Sequence, residues 1–344
     1  MSPHFNSLYL PALVAHADWG SNAAKRSLAV AVRNKGRYTA LPPEPIKAPQ
    51  SLLDVLRQMA GQRGSILLGF DFPIGLPIRY AEKLGITNFL TILPLFGQGE
   101  WASFYQPASS PGQISLRRPF YPAKPGGARH KFLLEGLSVP DIQDLRRCCE
   151  LAHPNRRAAS PLFWTLGAQQ VGKAAISGWR DVIGPALRHP HPGIHLWPFE
   201  GPLADLLEQG SIAIAETYPG EVYQALKLQF PSITELNQRF PERTPIQKSG
   251  KRSQAARIWN ATPLLAWARY SGVELDPQLE RLIKTGFGPA PGAEDPFDAT
   301  VGLFGMLNVI LGFQPEWVEP PDGNWLEIIR NVEGWILGQV DWPV

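Results

Sequence analysis

Cysteine is nearly absent: the chain has two, Cys148 and Cys149, adjacent in sequence. That excludes a disulfide-stapled secreted framework and leaves too few thiolates for a cysteine-rich zinc site. A reducing cytoplasm is the expected compartment. Charge is also scarce. Charged residues make up 18% of the sequence, below the roughly 25% of an average soluble protein. With hydrophobic residues at 44%, wholesale disorder is excluded. The 33 Lys and Arg against 30 Asp and Glu leave a net charge of only +3, too small to mark a nucleic-acid binder, so any basic surface has to be local. No uninterrupted apolar run approaches the about 18 residues of a membrane span, so no membrane association is expected. The apolar stretch 8–17 ends in Ala15-His16-Ala17, which imitates a signal-peptidase site, yet no Lys or Arg precedes it and Pro11 interrupts it. It reads as structure rather than as a cleaved leader. The G-x-x-x-x-G-K-[ST] spacing is missing around Ser249-Gly250-Lys251, which sets aside a kinase-type nucleotide cradle.

What is present is a long chain, 344 residues, enough for about two domains or one domain with a large insertion. Its 35 prolines are about twice the average usage and predict long, turn-rich connections rather than a helical bundle. Residues 9–17 read as a buried strand running into Asp18 and the turn residues Gly20, Ser21 and Asn22. Residues 26–32 and 37–41 read as two further strands joined through a hairpin at Asn34-Lys35-Gly36, which makes a meander. Leu52, Leu53, Val55, Leu56 and Met59 have helical spacing. A second apolar strand at 65–70 runs into Asp71. From 95 to 200 the pattern dissolves into Pro-, Gly- and aromatic-rich sequence, with helical stretches near 141–152 and 162–176. Strands are then expected at 193–197 and at 211–215, the latter running into Glu216, with helices at 221–228, through Tyr270, and from Ala299 to Leu311. Asp295-Pro296-Phe297-Asp298 opens the last helix, with proline where the first helical position prefers it.

Three predicted core strands thus end in carboxylates, Asp18, Asp71 and Glu216, and the last long helix begins with Asp295 and Asp298. In an open sheet the loops at the strand ends form the usual crevice, and residues three apart on a helix share a face, so these acids are able to converge. Convergent acids repel. Such a cluster is tolerable chiefly around a hard divalent cation, for which all-oxygen ligation suits magnesium or manganese. Each acid also has a local explanation: Asp18 and Asp71 as turn residues, Glu216 as complement to a helix amino end, and Asp295 and Asp298 as cap and first-turn acids. Independent capping does not, however, require three strands to end in acids.

The sequence resembles the RNase H-like superfamily and, within it, the predicted nucleases catalogued as domain-of-unknown-function family 429. The resemblance is carried, in order, by Ala17-Asp18-Trp19-Gly20, Gly69-Phe70-Asp71-Phe72-Pro73-Ile74-Gly75-Leu76, Ala215-Glu216-Thr217-Tyr218-Pro219, the stretch from Lys248 to Arg257 (KSGKRSQAAR) and Glu294-Asp295-Pro296-Phe297-Asp298-Ala299. It implies an α/β fold with a mixed five-stranded sheet flanked by helices and Asp18 at its centre. Residues 1–94 and 201–344 would form the two parts of that domain, the second with C-terminal helices, and 95–200 an insertion with no counterpart in the family.

The expected activity is phosphodiester hydrolysis by a Mg2+- or Mn2+-dependent nuclease acting on nucleic acid. Asp18 would lie between two ions about 3.5 to 4 Å apart, with Asp71, Asp295 and Asp298 completing their shells and Glu216 a secondary candidate, either a ligand or an acid behind one. Lys248, Lys251, Arg252 and Arg257 are expected to contact phosphate beside a helix amino end. In the insertion Arg117, Arg118, Lys124, Arg129 and Lys131 alternate with Phe104, Tyr105, Phe120, Tyr121 and Phe132, a composition for gripping unpaired strands. Its alternative is loop aromatics packed inward with the cations in water. Two other readings stay open at this stage: a non-catalytic nucleic-acid-binding or scaffold protein of the same fold, and a metal-independent carboxylate-pair hydrolase acting on sugars. The motif His189-Pro190-His191-Pro192 with His195 is a poor zinc site, with no thiolate or acid cluster nearby. DNA versus RNA, endo- versus exonuclease action, protein partners and oligomeric state are not written in the sequence.

Overall fold

The computed structural model of the chain describes residues 10–166, 171–188, 193–243 and 245–343. Tyr9, where the first strand is expected to begin, lies outside them, and strand β1 runs Leu13–Asp18. β2 (Ser27–Asn34) and β3 (Arg37–Ala40) follow as antiparallel neighbours. Their connection is the expected hairpin, with Lys35 and Gly36 at φ of 48° and 85°. Two positive φ values in a two-residue loop give the turn whose twist matches the flanking strands. After β4 (Glu44–Pro45) and the helix Leu52–Ala60, β5 (Ile66–Phe70) lies parallel to β1. β6 (Ile194–Leu196), β7 (Ile212–Glu216) and β8 (Glu274–Leu275) complete the sheet. The architecture is α/β: a mixed sheet of eight strands in the order β6-β7-β5-β1-β2-β3-β8, with β4 paired to β2, flanked by helices. Eight strands replace the five expected for the core. β4 and β8 are two residues each, too short to carry a hydrophobic period.

The strands β1, β5 and β7 are buried on both faces. Leu13, Ala15 and Ala17 join Ile66, Leu68, Phe70, Ile212 and Ile214 in one core, while Val14, Leu67, Ala213 and Ala215 belong to the other. The first core also contains Leu52 and Leu56 of the helix Leu52–Ala60. It extends without a break into segment 95–200, through Phe96, Trp101, Phe104, Phe120 and Trp179. Phe96 and Phe104 stack with centroids 3.7 Å apart, and Trp179 meets Phe89 at 5.3 Å. The segment therefore shares the sheet's own core, and its β6 pairs with β7. Of its expected helical stretches, 141–152 forms two 3-10 turns, Ile142–Leu145 and Cys148–Glu150, because the backbone is extended at Arg146 and Arg147. Helix occupies Val171–Gly178; residues 162–166 are not helical, and 167–170 lie outside the described residues.

The opposite face is covered by the helix Glu294–Ile310. It starts at Glu294 with Ala293 as its cap, so Asp295 is inside the helix and Pro296 is its third residue, where a missing N–H still breaks no helical bond. Every residue from Phe297 to Ile310 is buried. The sheet lies on one side, and the helix Ala261–Ser271 packs on another, with Trp267 stacked on Phe304 at 4.4 Å. Gly302 receives the ring of His16, since a Cβ at that position would lie 2.3 Å from it. Burial lowers the pKa of His16 to about 3 and keeps it neutral. Among the described residues no helix is long and apolar enough to cross a membrane.

Candidate active site at the strand ends

Parallel pairing aligns Ala17 with Phe70, and Phe70 with Glu216. One residue further on, Asp18 and Asp71 stand side by side. Because side chains alternate along a strand, Asp18 and Asp71 turn toward the face carrying the helix Glu294–Ile310, whereas Glu216 turns with Ala17 and Phe70 to the other. Asp298, in the second turn of that helix, lies near enough for its charge to act on both.

Asp18 is 9% exposed and Asp298 2% exposed. Burial raises the pKa of Asp18 well above the usual carboxylate range, and the neighbouring charges of Asp71 and Asp298 add to it; Lys251 pulls the other way. Burial raises Asp71 as well, against the Trp19 backbone N–H, which donates to its Oδ1 at 2.5 Å, and a side-chain hydrogen bond with Asp18. Asp298 is raised by burial and drawn back by two donors: Tyr223 Oη donates to its Oδ1 at 2.6 Å, and the Lys251 ammonium pairs with its Oδ2. Asp295 stands at the rim. It is half-buried, and burial together with Glu294 lifts it to about 6. Lys251 is half-exposed; burial works against its charge, but Asp298, Asp18 and Asp71 outweigh that and raise its pKa. Three carboxylates are thus served by one ammonium at the cluster.

Glu216 is not in this cluster. Both of its oxygens accept from the fully buried Arg147 guanidinium, at 2.6 Å each, and its Oε2 also accepts from the Ile74 backbone N–H at 2.7 Å. Arg147 in turn donates to Glu150 Oε1 at 2.9 Å, to the Ile74 carbonyl at 3.1 Å and to the Glu333 carbonyl at 3.0 Å. This buried, hydrogen-bonded set joins the end of β7 to segment 95–200 and the C-terminal tail. Glu216 is directed into this set on the face of the sheet away from Asp18, which corrects its expected place as a ligand or an acid behind one. Arg257 is also corrected. It is 2% exposed, and its guanidinium donates to the carbonyls of Gly286, Lys251 and Gly288 at 2.8, 2.5 and 2.8 Å. It holds two loops together instead of facing a phosphate. The helix it sits in, Gln254–Trp259, has only six residues, so its amino end offers little dipole. Lys248 and Arg252 are exposed beside Lys251.

In segment 95–200 the aromatics point inward: Phe104, Tyr105, Phe120 and Tyr121 are buried and Phe132 is partly buried. Their expected stacking on bases gives way to core packing. Arg117 pairs with Glu100 at 2.7 Å and covers Trp101 at 3.7 Å, and Arg118 donates to the carbonyls of Gln106 and Pro107. Lys124, Arg129 and Lys131 remain exposed. His189 and His191 lie outside the described residues, and His195 Nδ1 lies 3.0 Å from Glu200.

Three participants carried no readable signal. Tyr223 looks like an ordinary helix aromatic until its hydroxyl reaches Asp298, the Trp19 amide is a backbone group, and Arg147 is one cation among many in an irregular segment. Among the described residues no three His, Cys, Asp or Glu side chains already converge as a metal site. Asp18, Asp71 and Asp298 nevertheless fit a hard cation in kind: they are all-oxygen donors, buried or half-buried, mutually repelling, and undercompensated by Lys251. Comparison of the chain with models of protein families, with curated proteins and with solved structures gives no match.

Proposed function

We propose that this chain is a Mg2+- or Mn2+-dependent nuclease of RNase H-like fold, hydrolysing phosphodiester bonds by a two-metal mechanism. The reading rests on one observation above all: Asp18 from β1, the half-buried Asp71 after β5 and Asp298 from the helix Glu294–Ile310 lie within reach of one another's charge and have raised pKa values. The strand order supports it, because an antiparallel meander β3-β2-β1 is continued by β5 and β7 parallel to β1. Asp18, Asp71 and Asp298 would hold the ions, with Asp295 at the rim. Bound there, a divalent ion supplies a nucleophilic water at neutral pH and Lewis-acid stabilisation of phosphoryl oxygens.

The chain's own groups do the positioning. The Trp19 amide fixes one oxygen of Asp71, and Tyr223 fixes one oxygen of Asp298. Pre-set orientation of this kind lowers the reorganisation needed at the moment of reaction. Lys251, half-exposed at the mouth, and the exposed Lys248 and Arg252 supply the positive field that a polyanionic substrate needs to approach acids. No histidine or serine nucleophile is required. The test is a screen of labelled single-stranded, duplex, hybrid and branched DNA and RNA with each metal, run beside Asp18→Asn. Metal-dependent cleavage lost in that variant upholds the proposal, and absence of cleavage across the screen rejects it.

A further inference from the structure

Lys251 is placed oddly for a residue that only meets phosphate. Its ammonium does not project into solvent but pairs with Oδ2 of Asp298, the least exposed acid of the cluster, while Asp18 and Asp71 add their attraction. The other oxygen of Asp298 is already taken by Tyr223. Both oxygens of Asp298 are thus engaged, and a cation approaching Oδ2 has to compete with Lys251, even though the three carboxylates together lack positive charge. The lysine is also free to leave. Its side chain is 44% exposed, and it sits in a short 3-10 turn, Gly250–Arg252, whose first residue Gly250 has a positive φ of 61°. The backbone of Lys251 is held separately, by Arg257 donating to its carbonyl.

We infer that Lys251 is an exchangeable counter-ion: it neutralises Asp298 in the metal-free chain, yields that oxygen to an incoming divalent cation, and is thereby turned out to the substrate phosphate. This rests on the proposed metal-dependent reading and deepens it. It makes Lys251 a positioning residue whose contact with substrate is conditional on metal. Arg257 explains why the swap is local, since the anchored carbonyl keeps the turn in place while the side chain moves.

The exchange is readable without any cleavage assay. Full-length protein is titrated with MnCl2 by calorimetry and, in parallel, labelled briefly with an amine-acetylating reagent, the modification of each lysine being followed by mass spectrometry. An ammonium paired to a buried carboxylate reacts slowly. Lys251 labelling should rise several-fold when Mn2+ binds, should not rise in Asp18→Asn, and should be unaccompanied by change at the exposed Lys248. Lys251→Met should tighten Mn2+ binding about fivefold, the factor expected for losing a half-exposed ionic competitor, while Lys35→Met, exposed in the hairpin at the opposite end of β1 from Asp18, leaves it unchanged. Mn2+ that binds without altering Lys251 labelling, or equal tightening by both variants, overturns the exchange and leaves the metal site standing. No Mn2+ binding by any form overturns both this inference and the proposed function.

Discussion

Replacing Arg147 by Met withdraws the guanidinium around which Glu216, Glu150 and two backbone carbonyls are arranged, while filling much the same volume. Glu216 and Glu150, 4% and 2% exposed, then lose a partner that water cannot replace. Removing one side of such a buried pair costs about 3–5 kcal/mol. Against the about 5–15 kcal/mol that holds a typical domain together, that is a loss of more than a hundredfold in the folded-to-unfolded ratio at its smallest. The loss also carries a pH signature. Burial already lifts Glu216, and lifts Glu333 to about 7. Without Arg147 the Glu216 carboxyl rises further. A carboxyl raised in the folded state binds more protons folded than unfolded, so stability falls as pH climbs from the ordinary carboxylate range through the folded pKa. Urea denaturation at pH 5.5 and pH 8 should therefore show a larger deficit at pH 8. A deficit below about 1 kcal/mol, or one that does not grow with pH, would refute the view that Glu216 is a structural acid.

The same sign applies to the carboxylate cluster. Asp295 at about 6, and Asp18, Asp71 and Asp298 raised by burial, make the metal-free fold less stable as pH rises through their folded values, whereas Mn2+ binds their ionised forms. The Mn2+-induced rise in melting temperature should grow between pH 5 and 7.5, and a rise independent of pH would contradict this. Gly302→Ala should lower stability by about 1–3 kcal/mol through overpacking against His16, and an unchanged denaturation midpoint would show that the ring has room to move. Changing Lys124, Arg129 and Lys131 to Gln should flatten the slope of log affinity against log salt for single strands by about 2 at most, at ~0.7 per phosphate contact. Arg117→Gln and Arg118→Gln, whose guanidinium groups already bond within the chain, should add nothing, and any further flattening would show that they reach the strand.

The meander, the two parallel strands and the last helix are legible because each is a run of apolar residues stopped by turn chemistry, as at Asn34-Lys35-Gly36 and after Asp71. Asp18, Asp71 and Asp298 are legible for the related reason that acids at the ends of apolar runs stand out. Glu216 ends its run in the same way and yet faces away, because register, not sequence, decides the face. β1, β5 and β7 are buried on both sides, so no polar alternation marks which way the terminal acid points. Segment 95–200 is illegible for a different reason. Its fold depends on aromatic packing between residues far apart, such as Phe89 with Trp179 and Phe104 with Phe120, and on the single cation Arg147. Gly75 has a local sequence signal but a long-range cause: with φ at 137°, it passes so close to the backbone of Glu333 that a Cβ would lie 1.9 Å from the carbonyl oxygen.

In the proposed reaction the working carboxylates are those on the Asp18 face of the sheet. Metal-dependent cleavage of a labelled substrate by the unmodified chain, Asp18→Asn and Glu216→Gln, each first shown to be folded by circular dichroism, tests it most directly. Cleavage by the unmodified chain and by Glu216→Gln, with none by Asp18→Asn, is the predicted result. Cleavage that survives in Asp18→Asn, or that disappears only in Glu216→Gln, would contradict it.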